Sequence, residues 1–235
     1  ILGSLYFQHM RIDPAQPKMA GRDRLIVSKG HEGPAVYATL AVRGYFPREE
    51  LLTLNASGTN LPSHCDMHKT VGIDMTTGSL GQGFSCAVGI AVGSKLAKDG
   101  ATIYAVIGDG ESQEGQIWEA AMFAGNQKLN NLIAFTDYNN LQIDGTVSEV
   151  NDIAPLDEKW RSFNWNVIVI DGHDFAQIDS AILSAKAQDK PTMIIAKTIK
   201  GKGVSFVESK GAGNHNMPFS MEDAARAIAE IRGEA

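Results

Sequence analysis

The strongest constraint on the fold is an alternation that runs along the second half of the chain. Four short aliphatic or β-branched runs, "TIYAVIG", "LIAFTD", "WNVIVID" and "TMIIAK", are each bounded by turn residues. Helical patterning fills the intervals, over Gln113–Lys128, Pro155–Phe163 and Phe175–Gln188. Strands that are apolar throughout belong to a sheet covered on both faces. The spacing therefore predicts an α/β protein: a mainly parallel sheet between two helical layers, a three-layer α/β/α arrangement. Earlier in the chain, "GPAVYATLAVRGY" predicts a helix, with a short one after Pro47. "GQGFSCAVGIAVGSKLAKDG" predicts a long helix with Gly100 as its C-cap. A closing helix starts at Met221. No internal repeat or Pro- or Ser-rich linker divides the 235 residues, so they are read as one domain. The segment Lys200–Pro218, with "KGKG" and "KGAGNHN", is the expected mobile loop.

The first residues admit two readings. "SLYFQHM" resembles the scar of a protease-cleavable tag. Against that, Ile1, Leu2, Leu5 and Tyr6 fall at helical spacing, and Pro14 stops the helix. Gly3 also stands where such a cleavage site would begin with glutamate. A native helix entered part-way is the favoured reading, with further residues expected upstream of Ile1.

Composition removes several function classes. A hydrophobic content of 43% with 20% charged residues describes an ordinary globular protein. A net charge of -6 does not suit nucleic acid, whose phosphates need clustered Lys and Arg. The absence of an apolar run long enough to span a bilayer argues against a membrane helix. Two cysteines, Cys65 and Cys86, give no disulfide framework and suit a reducing, cytoplasmic setting.

The chemistry concentrates between Gly108 and Gly145, in "GDGESQEGQIWEAAMFAGNQKLNNLIAFTDYNNLQIDG". Asp109 follows one predicted strand and Asn139 follows the next. Ligand sites of open parallel sheets lie outside the carboxyl ends of strands, so both side chains can converge there. Gly108 and Gly110 are expected to permit a tight turn and leave backbone N–H groups uncovered. The helix after them would aim its positive end at the same crevice, which favours a phosphate. Mg²⁺ prefers oxygen ligands, few of them from protein, with phosphates and water completing the set. Taken alone, "GDG" is a common turn and asparagines commonly cap loops. The second oxygen ligand past the neighbouring strand is what raises the pair above that reading.

At this point the sequence resembles the N-terminal, diphosphate-binding half of transketolase, a thiamine diphosphate enzyme. The resemblance runs through "RIDP", "RDRLIVSKGH", "MTTGSLGQG", "GDGESQEGQIWEAA", "NNLIAFTDYNNLQIDG", "DGHD" and "KTIKGKG". It implies a Mg²⁺ ion, with Ca²⁺ or Mn²⁺ as substitutes, held by the Asp109 and Asn139 side chains and the Leu141 carbonyl. Gly110 would offer its N–H to the diphosphate, with Gly78, Gly108 and Glu111 on the same cofactor surface. Leu80 and Ile143 would line the thiazolium pocket. His31 and His64 match positions facing the diphosphate and the sugar. His215, in "GNHNMP", resembles a further active-site histidine, although its surroundings depart from the family pattern. Glu114 would join an acidic network at a subunit interface, and Glu119 is left open. His173 is read as a turn residue ahead of a helix capped by Asp174, while His9 and His68 carry no argument. The family commonly has Gly-His-Pro where this chain has Ser63-His64-Cys65, so the backbone and substrate selection there are expected to differ. The family's glycine-histidine motif would fall upstream of Ile1.

Transketolase catalysis also needs a second domain that grips the aminopyrimidine with a glutamate. These residues do not include it. The resemblance therefore implies one subunit of a split enzyme, with a C-terminal partner subunit carrying the pyrimidine-binding domain. Self-association into a dimer or heterotetramer is expected. The reaction would move a two-carbon ketol unit from a ketose to an aldose, as sugars or sugar phosphates. Two other readings are the α-subunit of a 2-oxo acid decarboxylase or dehydrogenase, and a non-catalytic cofactor-binding module. "SKGH" with "TTGSLGQG" and "IDGT" favours transketolase over the first, and retention of Asp109, Asn139 and Leu141 argues against the second.

Overall fold

A computed structural model describes residues 1–234. Its strands are β1 (Arg24–Val27), β2 (Ile103–Gly108), β3 (Leu132–Tyr138), β4 (Leu141–Gln142), β5 (Gly145–Thr146), β6 (Asn166–Asp171) and β7 (Thr192–Lys197). The helices are α1 (Leu2–Ser4), α2 (Gly33–Arg43), α3 (Gln82–Ala97), α4 (Gly115–Asn126), α5 (Val147–Asn151), α6 (Leu156–Ser162), α7 (Phe175–Lys186), α8 (Ser205–Glu208) and α9 (Met221–Arg232). The main sheet has the order β1-β2-β3-β7-β6 and every pairing in it is parallel. β4 and β5 form a separate antiparallel hairpin.

Strand alternation explains the three layers. Along β2, Ile103, Ala105 and Ile107 join one core with residues of α3, α4 and α6. Tyr104 and Val106 join the other, with residues of α2, α7 and the N-terminal helix. Both faces of the sheet are thus covered, as the continuous apolar runs require. The first core contains an aromatic group in which the Trp160 and Trp165 rings lie 4.9 Å apart and edge to face. Trp165 Nε1 donates to the Ala121 carbonyl at 2.9 Å, which ties the start of β6 to α4. Gly125 on α4 is needed for this approach: a Cβ there would stand 1.8 Å from the Phe163 carbonyl oxygen.

The N-terminal stretch is an integral part of the fold. α1 runs on through a wider π-type turn over Leu5–His9, closed by Met10 N–H donating to the Leu5 carbonyl at 2.9 Å. Leu5 and Tyr6 are buried, and Arg43 Nε on α2 donates to the Tyr6 carbonyl at 3.0 Å. His9 Nε2 is bonded to Asp179 on α7 at 3.0 Å.

Four details differ from the sequence expectation. β1 is a strand that the periodicity did not single out, being four residues long between charged and turn residues. Gly100 is not the cap of α3: the helix ends at Ala97, and Lys98 takes the left-handed conformation at φ 54°. The expected helix from Gln113 is interrupted. A 3₁₀ turn spans Gly110–Gln113, Glu114 is extended at ψ 129°, and α4 starts only at Gly115. The helix end nearest the crevice is therefore that short turn. Finally, β6 is an edge strand, half-buried along most of its length. The segment after Lys200 contains α8 and a 3₁₀ turn over Gly211–Asn214.

Candidate cofactor site

The register of the sheet brings the two ligand candidates together. Gly108 pairs with Asp137, so the chain leaves β2 and β3 side by side. The Asp109 N–H donates to the Asp137 carbonyl at 3.3 Å, and Asp109 Oδ2 accepts from the Asn140 N–H. Asn140 takes the left-handed conformation at φ 59°, which asparagine tolerates. It turns the chain into the β4–β5 hairpin. The paired asparagines thus have separate duties: Asn139 faces the site and Asn140 makes the turn. Asn139 Oδ1 accepts from the Leu141 N–H at 3.0 Å.

A pocket of about 370 Å³ opens here. Its walls include His31, Gly78, Leu80, Gly108, Asp109 and Gly110. Glu111, Glu114, Asn139, Leu141, Ile143 and His215 complete the sequence-derived set around it. His64 is the exception. It is exposed, stands behind Gly78, and approaches the site through His31, with ring centroids 6.5 Å apart. The His31 and His215 rings are 5.3 Å apart. Glu114 is exposed and occupies the position before α4. Ile143, 68% exposed, sits in the hairpin loop between β4 and β5.

The expectation for the two glycines holds for the turn, a 3₁₀ turn over Gly110–Gln113, but not for their N–H groups. Neither Gly108 nor Gly110 needs a left-handed backbone to make that turn. Space is the reason for Gly110, where a Cβ would approach Gln142 Cβ at 3.2 Å. Their N–H groups, however, are covered by side chains. Gly108 N–H donates to Glu111 Oε2 at 3.0 Å and Gly110 N–H to Asp109 Oδ1 at 2.8 Å. Glu111 is buried, and its other oxygen accepts from Ser28 Oγ at 2.5 Å and Gly81 N–H at 2.8 Å. Its carboxylate thus braces three loops beneath the pocket. Burial pushes this carboxyl up, opposed by those hydrogen bonds.

Charge is arranged asymmetrically. The buried Lys29 ammonium bonds Asp137 at 2.5 Å and Glu32 at 2.8 Å. Burial works against that ammonium, but the two carboxylates outweigh it and hold its pKa above the ordinary lysine value. Asp109 is also buried, yet among the described residues no cationic side chain is bonded to it. Burial raises its pKa, and two backbone N–H bonds oppose the rise. A buried carboxylate without a counter-cation, beside an amide oxygen and a backbone carbonyl, is a hard-oxygen donor set. It fits a divalent ion such as Mg²⁺. The residues present therefore fit the metal-diphosphate end of the cofactor.

Several participants were not picked out from the sequence. Lys29 lies inside "SKGH" and Lys200 inside "KGKG"; both line the pocket, and Lys200 Nζ is 2.8 Å from His215 Nδ1. Gln113 Nε2 donates to Gln142 Oε1 at 2.8 Å, tying the turn after β2 to the hairpin. A second, larger cleft of about 860 Å³ shares Lys29, His31, Asn139, Lys200 and His215 with the first. Cys65 proves to be structural. Burial pushes its thiol up to about 12. Its N–H donates to the Gly30 carbonyl at 3.3 Å, a bond that proline could not make, so the His64 loop is stitched to the "SKGH" turn. His173 Nε2 accepts from the Ile199 N–H at 2.8 Å, and Asp174 caps α7 as expected.

Comparison with known proteins agrees with this geometry. Residues 1–232 match the model of the family described as "Transketolase, thiamine diphosphate binding domain". The chain belongs to the transketolase family. It is 60% identical over 235 residues to the 6-deoxy-6-sulfo-D-fructose transketolase subunit SqwG of Clostridium sp. (strain MSTE9), covering 100% of this chain and 85% of that one. It is 41% identical to an apulose-4-phosphate transketolase subunit of Phocaeicola vulgatus, covering 98% of this chain and 83% of that protein. The structure superposes on transketolase from Leishmania mexicana with a TM-score of 0.91 at 30% identity. That match covers 98% of this chain but 36% of the other, so the chain spans about a third of that transketolase.

Proposed function

We propose that this chain holds the metal-diphosphate end of thiamine diphosphate and, with a complementary subunit bearing the pyrimidine-binding domain, forms an enzyme that transfers a two-carbon ketol unit from a ketose to an aldose. The observation that carries the reading is the convergence of buried Asp109 with Asn139 at the ends of adjacent parallel strands. When bound, the cofactor supplies the carbanion chemistry, and the protein contributes binding and electrostatics.

In that reading, Asp109 supplies the anionic ligand, while the Asn139 amide oxygen and the Leu141 carbonyl complete the protein's share. Glu111 and Gln113 keep the turn after β2 in register with the loops on either side. Lys29 lends positive charge nearby without giving up its own partners. Leu80 and Ile143 offer apolar surface beside this polar floor. His31, His64 and His215 form a cluster on the side where a sugar would lie. The large share covered of the two relatives named as subunits, 85% and 83%, supports a two-chain enzyme. The cytoplasm is its proposed setting, a reading that the two unpaired cysteines support. The 60% identity to a 6-deoxy-6-sulfo-D-fructose transketolase subunit makes a sulfonated ketose the first donor to assay, with sugar phosphates beside it.

The test mixes the purified chain with its candidate partner, Mg²⁺ and thiamine diphosphate, and measures ketol transfer. Activity should need both chains, because each end of the cofactor must be held for the reacting groups to be in register. Sustained turnover by the isolated, verified-pure chain would overturn the split-enzyme reading.

A further inference from the structure

The contact between Lys200 and His215 has a consequence beyond proximity. Lys200 Nζ lies 2.8 Å from His215 Nδ1. An ammonium has three donors and no lone pair. It can meet Nδ1 only by donating, so Nδ1 must be the bare, accepting nitrogen. The single ring proton then sits on Nε2. We propose that Lys200 is a positioning residue that locks His215 in its neutral Nε2–H form, so that the ring presents a hydrogen-bond donor, and not an imidazolium, to an oxygen of a sugar bound in the cleft.

The surroundings support this assignment. His215 is half-buried and borders both clefts, and among the described residues its Nε2 has no hydrogen-bond partner. The neighbouring Asn214 clamps the loop, its Nδ2 donating to the Val207 carbonyl at 3.0 Å and the Lys200 carbonyl at 3.5 Å. Lys200 and His215 are thereby kept facing each other. The other charged and titratable groups nearby are Lys29 and His31, with His64 beyond. The carboxylates Glu32 and Asp137 are bonded to Lys29, and Asp109 to backbone N–H groups. Among the described residues no carboxylate is bonded to His215, so nothing adjacent would stabilise a second ring proton. Burial, then Lys200 and Lys29, push its pKa down.

One competing arrangement has the roles reversed, with a neutral Lys200 amine accepting from an Nδ1–H. Burial and Lys29 lower the affinity of Lys200 for its proton, while Asp137, Asp109 and Glu32 help to hold it. The net shift is downward; the ammonium form is taken from an ordinary lysine value far above neutrality, and the wild-type spectrum tests it. The chemical consequence is specific. An imidazolium could deliver a proton and a bare Nε2 could remove one. A neutral Nε2–H can do neither without first changing state. It binds and orients an oxygen.

The tautomer is independent of the ketol-transfer reading; only its use on a sugar rests on it. The test labels the full chain with ¹⁵N-histidine and identifies the His215 signals by comparison with His215→Gln. The expected wild-type spectrum shows an unprotonated Nδ1 and a protonated Nε2, with conversion to imidazolium only below the ordinary histidine range. In Lys200→Met the ring should take up its second proton at higher pH than in the wild type, and populate both tautomers when neutral. Lys200→Arg, which keeps a donor-only cation, should retain the Nε2–H form. Within the active two-chain enzyme, Lys200→Met should gain an acid limb in its pH profile that Lys200→Arg lacks. A protonated Nδ1 in the wild type overturns the proposal, and so does a Lys200→Met spectrum that matches it. Because the spectra need no cofactor, failure of the ketol-transfer reading would leave this result standing.

Discussion

Ser28 Oγ donates to Glu111 Oε1 at 2.5 Å in the protein interior, joining the residue after β1 to the turn after β2. The same carboxylate takes Gly81 N–H at 2.8 Å and Gly108 N–H at 3.0 Å. One side chain therefore fixes the relative heights of the "TGSLGQG" loop and the "GDG" turn, the two loops that would flank a diphosphate.

Replacing Glu111 by Gln keeps the shape but turns an amide NH₂ toward groups that are themselves donors. Leaving a buried donor unmatched costs about 1–3 kcal/mol. Urea unfolding of Glu111→Gln should show a loss of that size. A change within about 0.5 kcal/mol, the usual range for surface substitutions, would show that the brace is dispensable.

Asp109 combines two opposed effects. Asp109→Ala relieves a buried carboxylate that lacks a cationic partner but leaves the Gly110 and Asn140 N–H groups without their acceptor, so the cofactor-free chain should stay folded and lose no more than about 1–3 kcal/mol. Thiamine diphosphate binding by the two-chain enzyme should weaken severely at limiting Mg²⁺. Isothermal titration of wild type and variant, with and without excess Mg²⁺, compares the two. Equal affinities at limiting metal would remove Asp109 from the ligand set.

Acid sensitivity should follow from His31. Cleft burial, then His215, Lys29 and Lys200, push its pKa down to about 4, from an ordinary value near 6.5. Between those values the folded chain binds fewer protons than the unfolded one. The neutral ring's contribution is therefore complete above about pH 6.5 and is lost as pH falls toward 4. His31 is also exposed to solvent along the cleft, which screens the effect and makes it a shallow slope. Thermal melts at stepped pH should show the wild type falling more steeply than His31→Gln across that window. Parallel curves would contradict the assignment.

Two helix glycines should respond with opposite signs. Gly93 on α3 has open space where a Cβ would go, so Gly93→Ala should stabilise the isolated chain by about 0.5–1 kcal/mol. At Gly125 the new methyl would stand 1.8 Å from the Phe163 carbonyl oxygen. Gly125→Ala should cost about 1–3 kcal/mol or more as α4 and the end of α6 are forced apart. Denaturation midpoints of the pair decide the matter, and a stabilised Gly125→Ala would mean that α6 moves freely.

The legible parts of this molecule were those written in periodic or adjacent residues. β2, β3 and β7 are buried on both faces, so unbroken apolar runs announced them. Asp109 and Asn139 each follow such a run closely, and parallel register did the rest. β1 escaped because four residues carry no reliable period. The break before α4 was hidden because Glu111 turns inward to distant partners, Ser28 and Gly81. Lys200 was hidden by its neighbours. Its place at the head of the glycine-rich "KGKG" reads as loose chain, and only the clamp by Asn214 shows that it is held against His215.

The position of β7 imposes a schedule on synthesis. It is the final strand of the described chain, yet it lies between β3 and β6. Among the described residues β6 pairs with no other strand, so it emerges from the ribosome with no place in the sheet until β7 follows. Such non-local pairing defers contact formation and leaves apolar edges open meanwhile. Lys200 and His215 come later still. A nascent chain halted before Thr192 would therefore lack two strands of the sheet instead of one, and its half-built cleft would have the proposed metal ligands but neither member of the Lys200–His215 pair.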